Sequence, residues 1–203
     1  MLIEQPPKIF RILTPEGTFR IPSGEDRRVY LTFDDGPIPE ATPWVLDMLD
    51  RYGIKATFFM VGDNVRKYPA IYEEVKRRGH RVGNHTMHHL QGAKCTTRRY
   101  LRDVEEANNL IGSNLFRPPH GWLRPRQAKA LSKKYKIIMY DLVTRDYSKL
   151  KEAEDVVKNV KRYTRPGSII VFHDSLKSIR KLQTALAESI EWLQKEGYSF
   201  QLL

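Results

Sequence analysis

The stretch Val29-Tyr30-Leu31-Thr32-Phe33-Asp34-Asp35-Gly36-Pro37 reads as a short buried strand that runs straight into a turn. Residues 29–33 are β-branched, aromatic or apolar almost throughout, and Asp-Gly-Pro is turn chemistry. Next, Trp44, Val45, Met48 and Leu49 recur at helical spacing, and Gly53 is a natural stop. The couplet then repeats: residues 56–61 are apolar, and Tyr68, Ile71, Tyr72 and Val75 form a helical stripe. Further strands are predicted over residues 81–83, 115–116, 137–142, 168–172 and 198–203. The last helical stripe carries Ile179, Leu182, Leu186, Ile190 and Leu193. About seven strands, each but the last followed by a helix, predict an α/β fold with a parallel sheet. An open doubly wound sheet and an incomplete barrel both satisfy the pattern.

A chain of 203 residues suffices for one domain with a sizeable core. Residues 1–28 read as an N-terminal extension and 29–203 as the domain proper. Hydrophobic residues make up 40% and charged residues 29%, the balance of a soluble globular protein. No stretch approaches the roughly 20 apolar residues of a membrane span. The first residues show no apolar signal-peptide core, so a cytoplasmic location is expected, or an extracytoplasmic one if a leader has been removed. Cys95 is the single cysteine, which excludes an internal disulfide and reads as a passive thiol. The net charge of +11 can attract nucleic acid, anionic membranes or acidic polymers. The basic residues fall mostly on predicted outer helix faces, without zinc-finger spacing, an RNA-binding signature or a basic heptad region. Nucleic acid is therefore not expected as a partner. Neither a dinucleotide-binding nor a P-loop glycine pattern is present.

In parallel α/β folds the chemistry gathers at the C-terminal ends of the strands. Here those ends carry Asp34 and Asp35, then His85, His88 and His89, then Arg117, Asp146, and finally His173 with Asp174. Each alone reads as structural: an Asp pair caps turns, and spaced histidines are common on surfaces. Five strand ends with ionisable groups on one rim point to a site. His85 and His89, four apart, face the same way on a helical turn. Two imidazoles with one carboxylate, from Asp35 or Asp34, make a zinc-type site with an open position. The other Asp then stands where a general base is needed, and His173 can act as a general acid opposite. Arg117 suits the support of a carboxylate, and Asp146 the fixing of an imidazole tautomer. His80 reads as a surface residue near a helix end, and His88 as bracing its loop or facing solvent. The Asn84-His85-Thr86 sequon is better explained as part of the metal loop.

Thr32-Phe33-Asp34-Asp35-Gly36-Pro37, His85-Thr86-Met87-His88-His89, Arg117-Pro118-Pro119-His120-Gly121 and Ile170-Val171-Phe172-His173 resemble, in order, the motifs of the polysaccharide deacetylases, the NodB-homology group or carbohydrate esterase family 4. The resemblance runs from about Val29 to Leu203. It implies a distorted, incomplete (β/α) barrel and a hydrolase that removes N-acetyl groups from an amino-sugar polymer. It further implies that Asp34 is the base, that Asp35, His85 and His89 hold one divalent metal, and that Arg117 holds Asp34. His173 would be the acid, Asp146 its partner, and the backbone N–H of His120 would face the oxyanion. Zinc suits this donor set; nickel, cobalt or iron can fill the same site.

Three departures bear on specificity. His120 stands where the family has Tyr. The family's Asp-x-x-Asp-Trp reads Val143-Thr144-Arg145-Asp146-Tyr147, so its first Asp is Val143 and its Trp is Tyr147. Trp122 reads either as simple packing or as a surface for stacking on a sugar ring, and Ile170 or Phe172 as lining a small acetate pocket. The expected substrate is a glycan of the N-acetylglucosamine or N-acetylmuramic acid type, such as peptidoglycan or a chitin-like oligosaccharide, with the basic charge favouring an anionic polymer. The alternatives are a small cytosolic amide and O-acetylated xylan, on the same fold.

Overall fold

The computed structural model describes residues 4–24 and 26–203; residues 1–3 of the predicted extension and Glu25 lie outside the described residues. Its strands are β1 (Gly17–Thr18), β2 (Arg28–Asp34), β3 (Thr57–Met60), β4 (Arg81–Asn84), β5 (Leu115–Phe116), β6 (Lys136–Ile138), β7 (Leu142–Val143), β8 (Ser168–His173) and β9 (Ser199–Phe200). The helices are α1 (Lys8–Leu13), α2 (Thr42–Arg51), α3 (Gly62–Lys67), α4 (Pro69–Arg77), α5 (Thr97–Ile111), α6 (Pro125–Leu131), α7 (Ala153–Tyr163) and α8 (Ile179–Lys195). The strands form one sheet in the order β1-β6-β5-β4-β3-β2-β8-β7, with β9 added to β2. The pairings between these strands are parallel, as the strand–helix alternation requires.

One short connection decides between an open sheet and a barrel. β6 and β7 are consecutive in the chain but six strand steps apart in the sheet. In a flat sheet those steps, at about 4.8 Å each, would separate them by about 29 Å. The four residue steps from Ile138 to Leu142 reach about 14 Å at full extension. The sheet therefore curls until its two ends nearly meet, and an incomplete barrel results. This corrects the single strand expected over 137–142: the chain changes partners there, leaving β5 and β1 for β8.

The N-terminal segment lies across that gap. β1 extends the β6 edge, and the Met139 N–H donates to Thr18 O (2.8 Å). On the other side the Val143 N–H donates to Glu4 O (2.9 Å). Between them, the fully buried Asp141 carboxylate accepts from Arg11 (2.6 Å), from two nitrogens of Arg165 (2.8 and 2.6 Å) and from Ser168 Oγ (2.8 Å). The segment predicted as an extension thus supplies a strand and an ion pair to the sheet's seam.

Side-chain alternation splits the core in two. Tyr30, Phe59, Leu115, Ile138 and Ile169 fill the barrel interior. Val29, Leu31, Phe33, Phe58, Ile170 and Phe172 point outward and pack under the helices with Val45, Leu49, Val156, Leu186 and Ile190. Strands buried on both faces read as unbroken apolar runs, which is how β2 and β8 show in the sequence. His80, expected at the surface, is buried instead. Its Nδ1 accepts from the Ala56 N–H (3.1 Å), and its ring meets Phe58 edge-on. Burial, with Lys55 nearby, pulls its pKa down to about 4 and keeps the ring neutral. No helix among the described residues is long and apolar enough to cross a membrane.

Candidate active site

Asp34 ends β2 on the inward face of the barrel, and Asp35 opens the turn that follows with φ +86°. The turn is held by Asp174, whose carboxylate accepts from the Gly36 N–H (3.1 Å) and from Thr42 Oγ1 (2.6 Å). A Cβ at Gly36 would lie 2.0 Å from Asp174 Oδ2, so no larger residue fits there. Asp174 is fully buried, which pushes its pKa up to about 8. The Asp35 N–H donates to Phe59 O (3.2 Å), and Asp35 O accepts from Asn64 (2.8 Å). Two adjacent carboxylates are thereby sent to different places, Asp34 into the barrel and Asp35 onto its rim.

Arg117, directly after β5, is buried inside the barrel mouth. Its guanidinium donates to Asp34 Oδ1 (2.6 Å), Thr32 Oγ1 (2.7 Å) and Met139 O (3.0 Å), and lies over the Phe59 ring at 4.1 Å. Its backbone carbonyl accepts from His85 Nδ1 (2.8 Å). Arg117 thus orients Asp34 with its side chain and His85 with its backbone. The bond places the His85 proton on Nδ1 and leaves the Nε2 lone pair facing the rim. Burial, reinforced by the charge of His89, pulls the His85 pKa down to about 4, so the ring is neutral and fit to bind metal.

Asp35, His85 and His89 offer ligand atoms all within 4.8 Å of one another. His89 Nε2 is 3.2 Å and His85 Nε2 3.8 Å from Asp35 Oδ1. Burial pushes the Asp35 carboxyl up, but the hydrogen bond from His89 and the charge of protonated His173 outweigh it, holding the group well below the usual range. One carboxylate and two imidazoles, one of them tautomerically fixed by a carbonyl, fit a divalent ion with coordination positions to spare. The expectation of a helical turn joining the histidines is corrected. Residues 85–91 are irregular, and Thr86 (φ +66°) and His89 (φ +53°) are left-handed. Asp103 secures this loop by accepting from the Met87 and His88 N–H groups and from His88 Nδ1.

Opposite, His173 ends β8. Its Nδ1 lies 2.8 Å from Asp146 Oδ1, and its N–H donates to Asp146 Oδ2 (2.7 Å). Asp146 is fully buried, and the Tyr147 ring stands edge-on to His173 at 4.8 Å. Burial pulls the His173 pKa down, but the Asp146 ion pair and the charges of Asp35 and Asp34 outweigh it and carry it up to about 9. A protonated imidazole thus borders the cavity at neutral pH. Five non-glycine residues among those described have positive φ: Asp35, Thr86, His89, His120 and Arg145. All five sit in these strand-end loops, where strain marks function more often than chance.

The polysaccharide deacetylase family model matches residues 22–139. This chain belongs to the polysaccharide deacetylase family. It is 32% identical over 198 residues to a peptidoglycan-N-acetylglucosamine deacetylase of Bacillus cereus, covering 93% of this chain and 92% of that one. It is 31% identical over 211 residues to a chitooligosaccharide deacetylase of Rhizobium leguminosarum bv. trifolii, covering 95% and 98%. A crystal structure of a peptidoglycan N-acetylglucosamine deacetylase, in complex with an N-hydroxybenzamide, superposes with a TM-score of 0.84 at 32% identity, covering 93% of this chain and 91% of that one.

For a polysaccharide deacetylase, the cavity walls decide what is bound. The cavity holds about 190 Å³ and is bordered by Asp34, Asp35, His85, His89, Arg117 and His173. Its apolar wall is Val143, Val171, Met139 and Tyr140. Phe172, expected there, is fully buried on the outer face and stacks on Phe33 at 5.8 Å. Ile170 shares that face. Strand parity explains the correction: residues an even number before His173 face inward, so Val171 takes the position. That signal was readable from His173 alone. Trp122 lies outside that lining; its ring meets Phe10 of α1 edge-on at 4.6 Å and stays 45% exposed. His120 does border it, with φ +59° and its ring 4.8 Å from that of His89. Lys177, which no motif singled out, completes the rim.

Proposed function

We propose that this chain hydrolyses the acetamide of N-acetylglucosamine-type units in an amino-sugar polymer, with peptidoglycan or chitin-like strands as the substrate class. The carrying observation is the arrangement of three groups around one small cavity: the Asp35–His85–His89 triad, Asp34 on Arg117, and protonated His173 on Asp146. Asp35, His85 and His89 would hold a divalent ion, zinc by donor preference, which when bound supplies Lewis-acid polarisation of the acetyl oxygen and of water. Asp34 is positioned to take the proton of the attacking water. The guanidinium on Oδ1 leaves Oδ2 on the side of the triad, 4.0 Å from His85 Nε2. Water adds to the carbonyl carbon, and the developing oxyanion is met by the His120 N–H. His173 then gives its Nε2 proton to the nitrogen as the carbon–nitrogen bond breaks, releasing acetate and a free amine. An amine leaves poorly without that proton, so a histidine held protonated suits an amide better than an ester.

The relatives' substrates favour the same class, and the shallow apolar wall suits a methyl group. The test is acetate release from chitin oligomers, peptidoglycan fragments and acetylxylan, with and without added zinc. Faster release from either N-acetylated polymer than from acetylxylan supports the reading. Preference for acetylxylan, or turnover of small amides only, overturns it.

A further inference from the structure

Asp146, the partner of His173, sits in a loop whose geometry is set partly by the N-terminal segment. The preceding residue, Arg145, has φ +63°, a conformation unfavourable for a side chain of its size unless its surroundings impose it. Its surroundings include Glu4, in the N-terminal segment and eighteen residues before residue 22, where the family match starts. Arg145 Nη1 lies 3.0 Å from Glu4 Oε1, with the two side chains only 12% and 20% exposed. The Glu4 backbone binds the same loop, accepting from the Val143 N–H at 2.9 Å. Glu4 therefore holds the loop at both ends of the Val143–Arg145 step. From the other side, Lys181 Nζ donates to Asp146 O (2.9 Å) and to Ser148 O, and Asn159 donates to Thr144 O (3.1 Å). Glu4 does not border the cavity.

We propose that Glu4 is a positioning residue for the general acid: its ion pair with Arg145 keeps the left-handed turn that aims Asp146 at His173. This rests on the acetamide hydrolysis proposed above, and it makes the N-terminal segment part of the catalytic apparatus.

A leaving-group comparison tests it. Acetate release from a chitin oligomer needs a proton delivered to nitrogen, whereas 4-nitrophenyl acetate loses a stable phenolate without one. In Glu4→Ala, kcat on the chitin oligomer should fall about tenfold with KM within about twofold, as a misaimed acid predicts. The ratio of acetamide to aryl acetate rates should fall by the same factor. Glu4→Gln, which keeps a hydrogen bond but no charge, should lie between wild type and Glu4→Ala, and it carries the test if Glu4→Ala does not fold. An unchanged ratio in a folded variant, or an equal loss on both substrates, overturns the proposal. No acetate release from wild type on any N-acetylated polymer would instead count against the deacetylase reading itself.

Discussion

Asp34 and His173 are register partners in the β2–β8 ladder, so two parallel strands end on the same rung with a carboxylate and an imidazole. Adjacent strands lie about 4.8 Å apart. The rung therefore presents two proton-handling groups at a spacing that brackets one reacting carbon. Their supports differ in kind: Arg117 holds Asp34 through a cation, and Asp146 holds His173 through an anion. On the proposed reading, that opposition separates a base from an acid on one rung.

The two adjacent aspartates should separate by substitution. Asp34→Asn should lower kcat at least about 100-fold, the usual contribution of a general base, while the protein keeps a full equivalent of bound divalent metal. Asp35→Asn and His85→Ala should lose the metal, because each removes one of three ligands. Turnover assays paired with metal analysis check this. Metal loss in Asp34→Asn with retention in Asp35→Asn would exchange the two roles.

The pH dependence follows from His173. Its pKa is raised to about 9, so the protonated acid is present below that value and is lost as pH rises through it. The rate of acetamide hydrolysis should fall above about pH 9. In Asp146→Asn the strongest opposing charge is gone, and burial then pulls the imidazole pKa down. The basic limb should move to lower pH by at least about one unit. An unmoved limb in kcat/KM profiles would assign the acid to another group.

The candidate site was legible because its residues combine rare residue types with strand ends. Asp34, His85, Arg117 and His173 each follow an apolar run, and their placement needs only the α/β rule. Barrel closure was not legible, since it depends on where residues 137–142 change partners, and an apolar run hides a break of three residues. The contact of Trp122 with Phe10 of α1 was not legible either, since nothing near Trp122 in the sequence points to the N-terminal segment. His80 misled because a helix end next to a charge cluster usually faces water, yet here it lies under Phe58. Phe172 was a parity slip, correctable from His173 two residues after Val171.

The seam makes a stability prediction. Asp141→Ala removes a fully buried carboxylate and strands Arg165 and Arg11, whose side chains are 43% and 30% exposed and so regain water. The cost should be about 2 kcal/mol, below that of an arginine left fully buried. For a chain of this size that is a Tm lower by about 4–8 °C. Burial pushes the Asp141 pKa up, but Arg165, Arg11 and Ser168 outweigh it and hold it below the usual value. Its contribution is therefore present above about pH 4 and fades as the pH falls through the lowered pKa. Thermal melts of wild type and Asp141→Ala should differ at pH 7 and converge in acid. Equal melting temperatures at pH 7 would show that the N-terminal segment is held by other contacts.

His120 separates backbone from side chain. Its φ of +59° is one that glycine adopts freely, so His120→Gly keeps the chain path and removes only the ring. If the N–H is what meets the oxyanion, kcat should stay within about threefold of wild type, against the 100-fold or more that losing an oxyanion donor costs. The ring, packed on His89 and bordering the cavity, belongs to the substrate wall, so its loss should appear in KM. Burial, with the charge of His89, pulls the His120 pKa down, so a neutral ring is what the substrate meets. Steady-state kinetics on chitin oligomers decide the matter. A 100-fold loss of kcat with zinc still bound would give the imidazole itself a part in the chemistry, and the backbone assignment would fail.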